Sequence, residues 1–121
     1  MAEALKLVKQ GDTTPFLSAT LKDVNLDPVD LTDATIRLLL HDAFTWLEAL
    51  AEDAVNDQVG DGSDGSKGQV HYEWQAGETD TAGLYRGEFE VTYYDQTIES
   101  FPNGSYIFVE ILPKSADVAA S

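Results

Sequence analysis

The chain has 121 residues, of which 22 are acidic and 7 are basic, so its formal net charge is −15. A nucleic-acid-binding face requires clustered cations and an anionic membrane surface repels an acidic protein, so we expect no direct binding to either. The chain contains no cysteine, which excludes disulfides and thiolate metal sites.

The length fits a single domain with one hydrophobic core. We place this domain at residues 1–113 and predict that the small, polar segment 114–121 is a flexible C-terminal tail. No apolar run approaches the roughly 20 residues of a membrane helix, and we expect no signal peptide because a basic region followed by a long apolar one is missing. Because salt screens repulsion within an acidic surface, a high-salt habitat and ordinary acidic solubility both explain the charge.

Alternation of apolar and polar residues predicts β-strands along most of the chain. Residues 5–9, 16–21 and 35–40 each form a short predicted strand, and segments rich in Gly, Asp and Pro separate them. The longest alternating stretch is residues 69–112. About seven or more short strands, with turns roughly every eight to twelve residues, predict an all-β fold and a single antiparallel β-sandwich.

Residues 43–59 are the ambiguous segment. Their helical spacing and their content of Ala, Leu and Glu favour one short helix near residues 44–51. The surrounding strands favour the alternative, a hairpin of two edge strands, because tertiary context overrides local propensity. The apolar residues at helical spacing are Phe44, Leu47, Leu50, Ala51, Ala54 and Val55.

A short segment before one strand indicates an immunoglobulin-like arrangement. Asp80-Thr81-Ala82-Gly83-Leu84-Tyr85 has the form of a tyrosine corner, in which the Tyr hydroxyl bonds back to upstream backbone at the crossing between sheets. We therefore assign structural roles to Asp80, Gly83 and Tyr85. The usual immunoglobulin cysteines are absent, and we expect Trp74 to fill the core in their place.

An acidic loop contains weak calcium candidates. Oxygen-bearing side chains at alternate positions resemble part of a calcium loop, but an EF-hand also requires Gly at its sixth position and a bidentate Glu at its twelfth. Ser66 and Tyr72 occupy those positions, so a flexible, solvated loop over residues 60–68 is favoured over a calcium-stabilised module. The candidates are Asp57, Asp61, Ser63 and Asp64.

The sequence contains no catalytic signature. It has no Gly-x-Ser-x-Gly elbow, phosphate loop or dinucleotide fingerprint, and among 22 acidic residues a chance pair of carboxylates carries no weight. His41 and His71 are the two histidines, and their spacing fits no closed zinc site, so we expect them to face solvent. We predict a protein that is not an enzyme and has neither catalytic residues nor a cofactor.

Three aromatic residues are candidates for an interface. Alternation assigns most aromatic side chains to the core, whereas Tyr94, Phe101 and Phe108 fall on the outer face or at an edge. Exposed aromatic residues mark contacts with proteins or sugars. The alternative is that these three residues form a second layer of the core.

The chain resembles a known family at its turns and strand starts. It is similar to the N-terminal domain of phage baseplate upper proteins over nearly its whole length except residues 43–67. The motifs are structural, so the family implies no catalytic residues. They are Val8-Lys9-Gln10-Gly11-Asp12-Thr13-Thr14-Pro15, Gly68-Gln69-Val70-His71-Tyr72-Glu73-Trp74, Asp80-Thr81-Ala82-Gly83-Leu84-Tyr85 and Glu99-Ser100-Phe101-Pro102-Asn103, together with residues 17–21 and 28–35.

The resemblance implies an immunoglobulin-like β-sandwich of virion structural proteins of tailed phages. We therefore expect a virion protein, made in the host cytoplasm, that docks onto the tail, baseplate or neck and is homo-oligomeric or a lattice subunit. One alternative is a decoration (cement) protein bound to the major capsid protein. Another is a carbohydrate-binding module for host attachment.

Overall fold

The computed structural model describes residues 5–115, and all eight elements in this part of the chain are β-strands. The all-β fold class is therefore confirmed. Of the predicted tail, residues 116–121 lie outside the described part, whereas the Lys114 ammonium forms an ion pair with Asp12 at 2.7 Å. The strands are β1 (Leu5–Lys9), β2 (Leu17–Thr20), β3 (Thr35–Asp42), β4 (Glu48–Asn56), β5 (Gln69–Tyr72), β6 (Gly83–Thr92), β7 (Ile98–Phe101) and β8 (Ile107–Leu112).

One continuous hydrogen-bonded path joins the strands in the order β1-β8-β6-β3-β4-β5-β2, and β7 pairs with β6 beyond the end of β8. The sheet is mixed, because β1 pairs with β8 in parallel and the other pairs are antiparallel. It thereby departs at one edge from the expected antiparallel arrangement. The path curls into a nearly closed, barrel-like sheet, and its division into two immunoglobulin-like layers stays a prediction.

The alternation in β6 places its residues on two distinct faces. Phe89 and Val91 are buried, and the neighbouring Glu88 and Glu90 lie on the opposite face. Trp74 is 4% exposed and meets the ring of Tyr72 edge to face, with centroids 5.4 Å apart. Aromatic pairs of this geometry stabilise a core beyond the area they bury. Other large core residues are Leu17, Leu31, Leu38, Val70, Phe101, Val109 and Ile111.

The predicted helix near residues 44–51 is wrong, because this segment forms a turn and the start of β4. The alternative, a hairpin of two edge strands, is wrong as well, since β4 is a single strand inside the sheet, between β3 and β5. Asp42 ends β3 by accepting hydrogen bonds at Oδ1 from the backbone N–H groups of Phe44 and Thr45, both at 2.9 Å. Trp46 then adopts a left-handed φ of 63°, which a helix does not tolerate in a bulky residue. β4 pairs with β3 beyond this turn, so the hydrogen bonds of the sheet override the helix propensity of Ala, Leu and Glu.

The segment before β6 has the geometry of a tyrosine corner. The Tyr85 hydroxyl donates to the Thr81 carbonyl oxygen at 2.8 Å, and the Tyr85 side chain is buried. Gly83 has a φ of 153°, a conformation that favours glycine. The carbonyl of Asp80 accepts a hydrogen bond from the Gln10 side chain at 2.7 Å, which ties this corner to the turn after β1. These contacts fix where β6 begins.

Candidate functional site

Four cross-strand neighbours form a row on the outer face of the sheet. Leu5 of β1 lies opposite Phe108 of β8, Phe108 lies opposite Arg86 of β6, and Arg86 lies opposite His41 of β3. Their chain neighbours Leu40, Tyr85, Ile107 and Val109 are buried. Because side chains alternate across a strand, the row must point outwards.

Trp46 reaches over this row from the turn between β3 and β4. The guanidinium carbon of Arg86 lies 4.7 Å from the centre of the Trp46 ring and 5.9 Å from that of Phe108. Tyr106 meets Trp46 edge to face at 5.6 Å, and the His41 ring lies 6.1 Å from it. Such cation–π contacts hold an arginine in place without a carboxylate partner.

Arg86 differs from Arg37, the other arginine of this acidic chain. Arg37 pairs with Glu90, whereas within residues 5–115 the Arg86 guanidinium makes no ion pair. Its Nε atom is buried and has no hydrogen-bond partner. A buried hydrogen-bond donor without an acceptor lowers the stability of a protein by about 1–3 kcal/mol. The arginine is therefore positioned by the surrounding aromatic rings and not by hydrogen bonds.

The backbone conformation of Trp46 places its ring over Arg86, and this conformation is energetically unfavourable. A left-handed φ is rare for a bulky side chain and costs about 1–3 kcal/mol. The turn is held by the Trp46 N–H, which donates to the Asp42 carbonyl at 3.0 Å, and by the two N–H groups that reach the Asp42 carboxylate. These N–H donors, first that of Thr45 and then that of Phe44, lower the pKa of Asp42.

Further apolar side chains are exposed in the β3–β4 turn and on β1. Phe44 and Leu47, which flank Trp46 in the turn, are 80% and 70% exposed, and Leu5 and Leu7 of β1 are about half exposed. A large contiguous apolar patch is uncommon on a monomeric soluble protein and marks an interaction site. We call the following set the aromatic surface: Leu5, Leu7, His41, Trp46, Arg86, Tyr106 and Phe108.

The predicted interface residues lie in three different environments. Phe108 belongs to the aromatic surface, and Tyr94 is 76% exposed but lies past the opposite end of β6. Phe101 is 2% exposed and packs in the core, so its prediction as an interface residue is wrong. Its strand β7 pairs with β6 at Phe89, which directs both rings inwards.

Sequence reasoning missed Trp46, Arg86 and Tyr106. Trp46 lay in the segment interpreted as a helix, and Arg86 was one of seven scattered cations. The signal that would have found the site is the register that puts Arg86 between His41 and Phe108. That register depends on three strands that are distant in the sequence.

The second histidine is not simply solvent-facing, because its two ring nitrogens are occupied. His71 Nδ1 lies 2.7 Å from an oxygen of Asp57, and Nε2 lies 2.9 Å from Glu73. The ring of Phe16 stacks on the imidazole at 5.4 Å. The hydrogen bonds that the ring donates, first to Glu73 and then to Asp57, raise the pKa of His71 above its ordinary value of 6.5. Its engaged nitrogens suit a structural clamp and not a general base.

The calcium candidates do not converge on one point. Asp57 binds His71, Asp61 accepts from the Ser63 N–H at 3.0 Å, and Asp64 accepts from the Ser66 N–H at 3.0 Å. The contacts of Asp61 and Asp64 are local turn contacts, and they lower the pKa values of these two residues. In the described part of the chain, no group of three or more His, Asp or Glu side chains is placed to hold a metal ion.

Comparisons with known proteins do not assign a function to this chain, so a function can be proposed only from its residues and their geometry. No family model matches the sequence, and no curated protein or solved structure matches it. The similarity to phage baseplate upper proteins therefore stays a prediction from the motifs. Between residues 5 and 115, no helix is long and apolar enough to span a membrane.

Proposed function

We propose that this chain is a non-enzymatic structural protein of a tailed virus that docks onto the tail, baseplate or neck. The aromatic surface is the docking site in this proposal, and the observation that carries it is Trp46 held over Arg86 in a left-handed conformation. Strained residues persist where the surrounding structure imposes them, and they cluster at binding sites. The motif resemblance adds the virion context.

The composition of the aromatic surface fits a protein interface. Trp, Tyr and Arg dominate the binding energy of protein interfaces, where they fill pockets from which water is excluded. Arg86 brings guanidinium donors that are already oriented, so a partner carbonyl or carboxylate gains hydrogen bonds without first ordering the side chain. The surrounding negative charge favours a partner whose rim is basic.

The same surface serves the alternative role of capsid decoration. A decoration protein would bind the major capsid protein in place of a tail or neck protein, as a homo-oligomer or lattice subunit. Both roles need an exposed apolar contact area and no catalytic group, so they differ in partner and copy number and not in the chemistry of the site. The virion is the site of action in either case.

One observation favours a second candidate function, a carbohydrate-binding module for host attachment. Trp46 is 46% exposed and stands beside Tyr106 and the N–H donors of Arg86. Aromatic rings next to polar donors are suited to stack against a sugar face. A sugar-dependent rise in melting temperature that disappears in Trp46→Ala would support this function over protein docking.

Co-sedimentation with virus particles tests the docking proposal. Tagged wild-type chain is mixed with particles that lack their own copy, and bound chain is measured after centrifugation. We expect Trp46→Ala and Arg86→Gln to lower binding at least about tenfold, since truncation of an interface anchor costs about 2 kcal/mol or more. Tyr94→Ala is the matched control, because Tyr94 is an exposed aromatic residue outside the aromatic surface.

The docking proposal fails if Trp46→Ala and Arg86→Gln both bind as the wild type does. It also fails if Tyr94→Ala loses as much binding as Trp46→Ala, because loss of exposed aromatic area anywhere would then explain the effect. A circular dichroism spectrum and a melting curve for each variant establish that the fold is retained.

A further inference from the structure

A pocket of about 480 Å³ opens between the end of β2 with the loop after it and the turn from β7 to β8. Small-molecule sites typically measure about 300–1,000 Å³. The walls reach into the core at Leu21, Phe89, Phe101 and Ile107. The pocket lies on the inner face of β6 and β8, whereas the aromatic surface lies on the outer face of the same strands.

The loop at the mouth of the pocket carries two exposed apolar side chains and a strained backbone. Val24 and Leu26 line it and are 83% and 60% exposed. Leu26 has a left-handed φ of 66°, which is unfavourable for a branched aliphatic residue. Asp23 fixes this loop, because its Oδ1 atom accepts from the N–H groups of Asn25 and Asp27 at 2.8 and 3.1 Å. The loop therefore presents two apolar side chains beside an apolar cavity.

Two of the chain's seven cations line this pocket, Lys6 and Lys22. Lys6 occupies an inward-facing position of β1, since it alternates with the exposed Leu5 and Leu7 and precedes the buried Val8 by two residues. Within residues 5–115, neither lysine forms an ion pair. Asp23 is the acidic residue of the lining, and its carboxylate is engaged in its own loop.

We propose that this pocket binds a small amphipathic carboxylate. The apolar body of the ligand lies against Leu21, Phe89 and Phe101, and its carboxylate pairs with Lys6 and Lys22. Burial of apolar surface drives entry, and charge pairing at a partly enclosed mouth selects the anion. In a chain with 22 acidic residues, a pocket that carries two unpaired lysines is complementary to a negative headgroup. The proposal is independent of virion docking.

Three probes that share one alkyl chain test the proposal. Decanoate and decyltrimethylammonium are titrated into the full chain below their micelle concentrations, and decanol below its solubility limit. Binding is followed by calorimetry and by NMR shifts. We expect decanoate to bind, decanol to bind at least about tenfold more weakly, and the cation not to bind, since about tenfold corresponds to the loss of one moderate charge interaction. Equal binding of decanol and decanoate would overturn the role of the lysines.

Matched lysine variants distinguish an ion pair between decanoate and Lys6 from a general effect of the net charge of the protein. Lys6→Gln and Lys9→Gln make the same change in net charge on the same strand, but Lys9 is exposed and lies outside the pocket. We expect Lys6→Gln to weaken decanoate binding about tenfold and Lys9→Gln to leave it unchanged. An equal loss in both variants would mean that bulk charge explains the preference, and the proposed site would be wrong.

Filling the cavity supplies a second, independent test. Ala19 lines the pocket from β2 and packs against the core, so Ala19→Phe places a ring in the cavity. We expect decanoate binding to disappear while the circular dichroism spectrum and the melting curve show that the variant is folded. Unchanged decanoate binding in folded Ala19→Phe would place the ligand elsewhere and overturn the proposal. If the variant does not fold, the Lys6→Gln and Lys9→Gln comparison decides.

Discussion

The Trp46 ring covers the Arg86 guanidinium at 4.7 Å on the outer face of the sheet, although the two residues are distant in sequence. The contact joins the β3–β4 turn to β6 and depends on the left-handed backbone of Trp46. It organises the rest of the aromatic surface, because Tyr106 and His41 both pack against the same indole.

Trp46→Gly should separate binding from stability. Glycine relieves the left-handed strain by about 1 kcal/mol, which offsets part of the packing lost with the ring. We expect the free energy of unfolding, measured in urea, to stay within about 1 kcal/mol of the wild type, while particle binding is lost. A loss of more than about 3 kcal/mol would instead assign Trp46 to the stability of the fold.

Protonation of His71 should make the protein more stable at lower pH. Its pKa is raised in the folded state by Glu73 and Asp57, so this stabilisation is fully present below the unfolded value of 6.5 and is lost as pH rises through the higher folded pKa. We expect the melting temperature to fall as pH rises above about 6.5. His71→Gln should remove most of this slope, and an unchanged slope in that variant would contradict the clamp.

Trp74→Ala should destabilise the fold strongly. Trp74 is buried and packs edge to face on Tyr72, so truncation leaves a cavity between the strands. We expect a loss of about 3–5 kcal/mol in urea unfolding. Tyr94→Ala, at an exposed aromatic position, should change stability by no more than about 0.5 kcal/mol. Similar effects of the two substitutions would contradict the observed burial.

Tyr85→Phe should test the tyrosine corner. The substitution removes the hydroxyl that donates to the Thr81 carbonyl at 2.8 Å and leaves the buried ring in place. We expect a loss of about 1 kcal/mol in unfolding free energy. Tyr94→Phe supplies the control, with an expected change near zero because Tyr94 is exposed. A neutral result for Tyr85→Phe would show that the ring alone holds the corner.

Salt should stabilise the protein. A net charge of −15 on one domain opposes the compact state, and added salt screens that repulsion. We expect the melting temperature to rise with sodium chloride up to about 1 M, where the Debye length is about 3 Å. A flat response would argue against a high-salt habitat as the origin of the acidic composition.

The alternating strands could be predicted from the sequence, but the β3–β4 hairpin could not. In β6 the period-two pattern around Phe89 and Val91 agrees with the burial in the structure, since a strand of the barrel-like sheet has one buried face. In β4 the residues are good helix formers, and pairing with β3 and β5 decides their conformation. Local propensity contains no information about that partner.

Most of the candidate site could not be predicted from the sequence, for a related reason. Phe108 was singled out, but Arg86 joins it only through the register of β6 and β8, and Trp46 joins them only through a left-handed turn. Phe101 shows the converse error, because an apparent edge residue is buried by the pairing of β7 with β6. Cross-strand register is a tertiary property, which alternation within one strand does not determine.

The copy number of the chain in purified virus particles tests the central claim most directly. Quantitative mass spectrometry measures this copy number relative to the major capsid protein, in particles of the virus whose genome encodes the chain. Docking to the tail, baseplate or neck predicts a small, fixed number of copies per particle. A number comparable to the capsid protein would establish the decoration alternative in its place, and absence of the chain from intact particles would contradict a virion role altogether.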